Sequence, residues 1–191
     1  MDNNLFQSKY RIPSARADWH DYKNGMYFTT ICTKDRECYF GNIANGEMRM
    51  TKIGLFAQEQ LQNITNHYSY VEVPLWVVMP NHIHLVASMN SDNERGSSVC
   101  RDAINRVSTA GGITGLNNPM LTNSLGTVIR GFKARVTHFA RANFIHFAWQ
   151  PRFHDRIIRN TDELNHIAEY IVTNVAKWEF DKLYRPSSRR D

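Results

Sequence analysis

The chain has 191 residues, enough for one domain that buries its core without disulfide or metal staples. An apolar fraction of 42% excludes a disordered or low-complexity chain, and three cysteines (Cys32, Cys38, Cys100) without C-x-x-C spacing argue against a disulfide framework or a thiolate zinc site. Lys and Arg outnumber Asp and Glu by 23 to 18, a net charge of +5 that favours a polyanionic partner.

No apolar run approaches the ~18 residues of a spanning helix, and Met1-Asp2-Asn3-Asn4 opens no apolar leader, so a cytoplasmic chain without a membrane partner is expected. Residues 1–24 form a basic arm in which Lys9, Arg11 and Arg16 alternate with Trp19 and Tyr22. Such an arm suits a phosphate backbone with rings stacked on bases, and equally a solvated cover over the edge of the core. Tyr27-Phe28-Thr29-Thr30-Ile31 has the β-branched and aromatic bias of a strand. Asn45-Gly46 between short strand-like runs marks a hairpin, read most simply as part of a meander.

Thr51 caps a predicted helix running to about His67, with Ile53, Ala57, Leu61 and Ile64 at helical spacing. Two strands follow, Tyr70 to Met79 and His82 to Ser88. The segment from about 89 to 124 is rich in Asn, Ser, Gly and Thr and is expected to be a flexible loop, with a short helix near 99–107. Leu125, Val128, Ile129, Phe132, Val136, Phe139 and Ala140 then make one continuous apolar stripe of a long helix. Arg130 and Arg141 lie off that stripe and Lys133 and Arg135 on its flanks, either as a solvated face or as a grip on phosphates. Residues 147–155 read as extended around Pro151. Asn160 and Glu163 resemble a capping box opening a last helix, whose stripe is Leu164, Ile167, Ala168, Ile171 and Val175. Glu163, Tyr170 and Asn174 cluster on one flank of that stripe. The order of elements predicts one α+β domain over 1–191, an antiparallel sheet with helices packed on one face.

The stretch that organises the chain is Val77-Val78-Met79-Pro80-Asn81-His82-Ile83-His84-Leu85. Period-two alternation sends His82 and His84 to one side and Ile83 and Leu85 into the core. Two imidazoles on one rigid strand form a ready pair of metal ligands, and the same pattern also describes two strand histidines with no ligand. Tyr170 and Asn174, one helical turn apart, could look into the same cleft or simply pack at the border of core and solvent.

His-hydrophobe-His on a strand, followed far downstream by Tyr-x-x-x-Asn on a helix, resembles the single-tyrosine HUH transposases and endonucleases of the insertion-sequence type. Among them the REP-associated tyrosine transposases match best, through residues 25–32, 77–84, Ile129-Arg130-Gly131-Phe132-Lys133, Trp149-Gln150 and 170–174. The resemblance implies a ferredoxin-like sheet, with Tyr170 as nucleophile and His82, His84 and Asn174 as ligands of Mg²⁺ or Mn²⁺. It implies cleavage and rejoining of single-stranded, hairpin-flanked DNA through a 5′-phosphotyrosine, by a nucleoid-associated monomer or homodimer. Lys9, Arg11, Arg16, Arg130, Lys133, Arg152 and Arg156 are then candidates for backbone contacts, and Trp149 for base stacking. Val175 stands where that family often has proline, which predicts a helix running on past Asn174.

The role that the resemblance implies for Tyr170 is compatible with its chemistry, since a phenol loses its proton more readily than an alcohol and forms a stable phosphoester. The alternative is a hairpin-binding protein derived from such an enzyme that no longer cuts. A histidine-motif nucleotide hydrolase would want a third histidine at Val86, and a zinc hydrolase would need another strong ligand and an activating carboxylate, for which Glu163 could be offered.

Overall fold

The alternating runs on either side of Pro80-Asn81 become neighbouring strands of an antiparallel sheet. In the computed structural model, which describes residues 23–90 and 123–184, the sheet is ordered β4-β5-β1-β6. Its inner strands are β1 (Asn24–Cys32) and β5 (His82–Asn90), and its edges are β4 (Val71–Val78) and β6 (His154–Ile158). The basic arm with Lys9, Arg11 and Arg16, and the helix expected near 99–107, lie outside the described residues. No helix among the described residues is long and apolar enough to cross a membrane.

A helix separates β1 from β4 and another separates β5 from β6, so the sheet strands follow the β-α-β-β-α-β order of a ferredoxin-like fold. Strand alternation then sorts the side chains. Tyr27, Ile31, Ile83, Leu85, Ala87 and Met89 face α1 (Lys52–Gln62) and α3 (Leu125–Ala142), where the α3 stripe from Leu125 to Ala140 is buried as the spacing predicts. Burying each large side chain of that stripe contributes roughly 1.5–3 kcal/mol. Ser124 caps α3, its hydroxyl accepting from the Thr127 amide.

The expectation of helices on one face holds for α1 and α3, whereas α4 (Thr161–Thr173) crosses the opposite face. The reason is a second apolar patch: Val86 and Ile158, flanked by Phe28, Leu75 and Val77, is covered by Ile167 and Ile171 of α4. This is also the face to which His82 and His84 point, so the tyrosine helix and the histidine pair meet.

Local details differ from expectation where polar side chains compete with the backbone. The helix begun by Thr51, whose hydroxyl accepts from the Gly54 amide, breaks at Asn63 and resumes only as α2 (Ile64–His67). The Asn63 amide turns back onto the Glu59 carbonyl and also bonds Asn66, an alternative to helical continuation. Asn45 and Gly46 take positive φ, 55° and 74°, as a tight hairpin turn requires, but β2 (Gly41–Ala44) and β3 (Glu47–Met50) form their own two-stranded sheet instead of a meander with β1. At Gly54 a Cβ would collide with the Phe40 carbonyl, so only glycine lets the segment entering this hairpin lie against the first turn of α1. β4 is irregular between Glu72 and Leu75, around Pro74, which an edge strand accommodates.

At the other end of the chain, Asn160 caps α4 through the Glu163 amide, while the Glu163 carboxylate accepts from the Arg159 amide. The helix does not run on past Asn174. It closes there, turns, and continues as a 3-10 turn at Trp178–Phe180 that folds Trp178 back against the His82 ring.

Candidate metal centre and tyrosine

Cys32 faces His82 and Thr30 faces His84 in the β1–β5 register, so the histidine pair sits at the middle of the sheet beside a strand that supplies its own hydroxyl. Both rings are buried. The His82 Nδ1 lies 2.8 Å from the Asn81 Oδ1. Asn81 is oriented by its amide nitrogen, which donates to the carbonyls of Arg36 at 3.1 Å and Leu183 at 2.8 Å. Its oxygen is therefore the atom facing His82, so Nδ1 must carry the ring proton and Nε2 presents a bare lone pair. That Nε2 is buried and has no hydrogen-bond partner.

The His84 ring is held on both sides, with Nδ1 2.9 Å from the Thr30 hydroxyl and Nε2 3.1 Å from the Tyr170 hydroxyl, and it stacks on Phe28. Burial drives both imidazoles away from the charged form. His82 falls well below the usual histidine value, helped by its neighbour His84, and His84 is pushed down to about 4 against the opposing pull of Asp181. Two neutral imidazoles at neutral pH are what a metal requires of them.

Tyr170 is 41% exposed, so its hydroxyl can be reached from outside. That hydroxyl donates to the Asp181 Oδ2 at 3.0 Å, and the Asn174 amide donates to the same oxygen at 3.3 Å. Burial first, then the Asp181 charge and the hydrogen bond it accepts, push the phenol up to about 12. The Asn174 Oδ1 is buried without a partner. Nitrogens of His82 and His84 and a carboxylate oxygen of Asp181 lie within 4.8 Å of one another, a group that could hold a metal ion. Two neutral imidazoles, one carboxylate and the Asn174 carbonyl fit a divalent cation, the His82 Nε2 and Asn174 Oδ1 among them being buried without a partner, with imidazole and oxygen donors of borderline to hard character.

Sequence reasoning missed Asp181, Asn81 and Thr30. Thr30 could have been found from strand alternation once β1 was paired with β5, and Asn81 from its place before the first histidine. Asp181 had no signal, because it reaches the site only through the turn after α4. Asp181→Asn is expected to lower the Tyr170 pKa from about 12 toward the ordinary ~10, with the share due to burial remaining. A difference titration of tyrosinate absorbance between wild type and variant, in chelator, checks this.

The structure brings His82, His84, Tyr170 and Asn174 together and spreads the other candidates. Lys133 turns its ammonium inward to the carbonyls of Gln150 and Arg152, and burial lowers its pKa to about 8. The Trp149 ring packs among Phe40, Phe132 and Phe147 and its indole N–H donates to the Lys133 carbonyl, so it is engaged in a partly buried aromatic cluster. The two motifs Ile129 to Lys133 and Trp149-Gln150 are thus one clamp. Arg130 is exposed on α3, on the far side of the sheet from the histidines. Arg152 is exposed beside the clamp, and Arg156 lies on the histidine face, paired with Glu163 at 2.6 Å. Glu163 is accordingly part of the α4 N-terminus and not of the metal group.

In front of the site lies a cleft of about 500 Å³ bordered by Phe28, Thr30, His84, Tyr170 and Asp181, with the cations Arg36 and Lys182 at its rim.

No family model matches the chain. An uncharacterized protein of Haemophilus influenzae is 33% identical over 173 residues, covering 90% of this chain and 92% of that protein. A REP-associated tyrosine transposase of Escherichia coli is 25% identical over 127 residues, covering 62% of this chain and 58% of that protein. A solved REP-associated tyrosine transposase bound to a REP hairpin superposes with a TM-score of 0.54 at 21% identity, over 87% of this chain and 77% of that one. The chain belongs to one family with the Haemophilus influenzae protein, resembles the REP-associated tyrosine transposases in sequence and shares their fold.

Proposed function

We propose that this protein is a metal-dependent transposase or endonuclease that cleaves and rejoins single-stranded, hairpin-flanked DNA through a covalent bond to Tyr170. The observation that carries this reading is a reachable tyrosine hydroxyl 3.1 Å from one histidine of a buried, neutral pair and 3.0 Å from a carboxylate. In this reading His82, His84 and Asp181, with the Asn174 carbonyl beside them, hold Mg²⁺ or Mn²⁺. The bound cation would draw charge from the scissile phosphate and lower the barrier to attack.

The chain's own groups supply the rest. Arg36 and Lys182 flank the cleft and would grip the phosphates on either side of the bond. The Tyr170 oxygen attacks phosphorus in line, forming the Tyr–O–P bond while the bond to the 3′ oxygen breaks. Asp181 Oδ2, which already accepts the phenol hydrogen bond, is placed to take its proton. The 5′-phosphotyrosine keeps the phosphoester's energy, so another strand's 3′-OH can reverse the step and join new ends. Tyrosine and histidines meet within one chain, the arrangement that a monomer, or each half of a homodimer, would use, and nucleoid DNA is the proposed location of the work.

The test is incubation of wild-type protein with a labelled library of hairpin-bearing single-stranded DNA, with Mn²⁺, Mg²⁺ or chelator. A denaturant-resistant protein–DNA adduct that appears with metal and not with chelator is expected. Tight hairpin binding with no adduct under any metal would replace this reading with that of a DNA-binding protein that does not cut.

A further inference from the structure

Behind the histidine pair lies a second cavity, of about 290 Å³, between the β2–β3 hairpin and the turn after α4. Trp178 is the wall it shares with the metal group, stacking toward His82 at 5.9 Å on one side and meeting Tyr184 at 5.3 Å on the other. Phe180 borders both this cavity and the cleft that holds Tyr170, and its ring is 88% exposed. A large apolar side chain left that bare on the ridge between two hollows has no role in the core.

The two hollows differ in charge. The catalytic cleft carries Arg36 and Lys182, whereas among the described residues no lysine or arginine lines the second cavity, which offers the Glu179 carboxylate and the amides of Asn42 and Asn45 beside its aromatic walls. These groups give a phosphate no cationic partner in the second cavity. A flat aromatic ligand with hydrogen-bonding edges would be accepted.

We propose that this cavity is a base-reading subsite: it takes one unpaired base of a DNA single strand whose phosphate lies in the catalytic cleft, with Phe180 as the stacking platform at its entrance. Ring stacking is tolerant of sequence, so Phe180 supplies affinity. Glu179 supplies the selection, because a carboxylate only accepts hydrogen bonds: a base with an exocyclic amine meets it with donors, whereas thymine's single donor, N3–H, lies between two carbonyl oxygens that the carboxylate repels. The inference rests on the reading of the chain as a single-strand DNA enzyme, but its readout is binding and needs no cleavage.

The experiment selects bound strands from a randomised single-stranded library at equilibrium, using Tyr170→Phe protein with Mn²⁺, and compares Tyr170→Phe combined with Phe180→Ala or with Glu179→Gln. Both added substitutions are at exposed positions, and thermal unfolding confirms that the variants fold. Selected strands are expected to disfavour thymine at one position. Glu179→Gln, whose amide can also donate, should abolish that discrimination, and Phe180→Ala should weaken binding of the selected strands about tenfold, the effect of losing one stacked base. Thymine discrimination at no position, or discrimination and affinity unchanged within twofold in both variants, would overturn the subsite. Offering the selected strands to wild-type protein separates the two claims: adduct formation with an indifferent Phe180 and Glu179 sinks only the subsite. Selection that depends on them, without any adduct, sinks only the cutting.

Discussion

Phenylalanine at position 170 is expected to leave no detectable covalent protein–DNA product, a loss of at least ~10³-fold, because in the proposed reaction the bond to phosphorus is made by the tyrosine oxygen that the substitution removes. The geometry makes this a clean test. Tyr170 is 41% exposed, so removing one oxygen opens no core cavity. Its two hydrogen-bond partners, His84 and Asp181, keep their other contacts, the Thr30 hydroxyl and the Leu183 amide. Metal affinity, measured by titration calorimetry with Mn²⁺, should therefore hold within a few-fold while the adduct disappears on denaturing gels. Retention of the adduct in Tyr170→Phe would remove the tyrosine from the chemistry altogether. Loss of metal binding together with the adduct would instead make Tyr170 a part of the metal group.

In chelator, the protein should lose roughly 2–3 kcal/mol of stability between pH 6.5 and pH 4. The buried His84 ring titrates near 4 in the folded chain and near 6.5 when unfolded, about 2.5 pH units at 1.36 kcal/mol each. Across that window the unfolded chain binds a proton that the folded chain refuses, so falling pH favours unfolding. Below the folded value both states are protonated and the contribution stops growing. His82, depressed by burial and by His84, acts in the same direction. Urea midpoints at pH 7 and at pH 4.5 measure the loss, and a His82→Gln, His84→Gln protein should show most of it gone. An equal acid slope in that variant would place the titration elsewhere. Bound metal should steepen the wild-type dependence, because protons then compete with the ion for the same nitrogens.

The motifs named from the sequence divide into those whose chemistry is local and those that depend on distant packing. His82 and His84 share a face because strand alternation is dictated by the backbone, and Ile83 and Leu85 fix which face is the core. The same local reading exposed the α3 stripe and the Thr51 and Asn160 caps, each of which forms as the residue types predict. Lys133 and Trp149 carry no such marker. A lysine on the flank of a helix looks like a phosphate contact until the chain from 147 to 153 is folded beneath it and two carbonyls take its protons.

By itself, then, the sequence determined the strands β1, β4 and β5, the long helices, the histidine pair and the tyrosine flank, since each rests on periodicity within a single element, whereas β6 (His154–Ile158) lies mostly beyond the stretch 147–155 read as extended. Tertiary structure decided that α4 lies on the face opposite α1 and α3, because that choice follows from an apolar patch assembled from β1, β4, β5 and β6 together. It also decided Asp181. A carboxylate in an irregular turn has no period to read, and only the return of Trp178 against His82 carries it to within hydrogen-bonding distance of Tyr170.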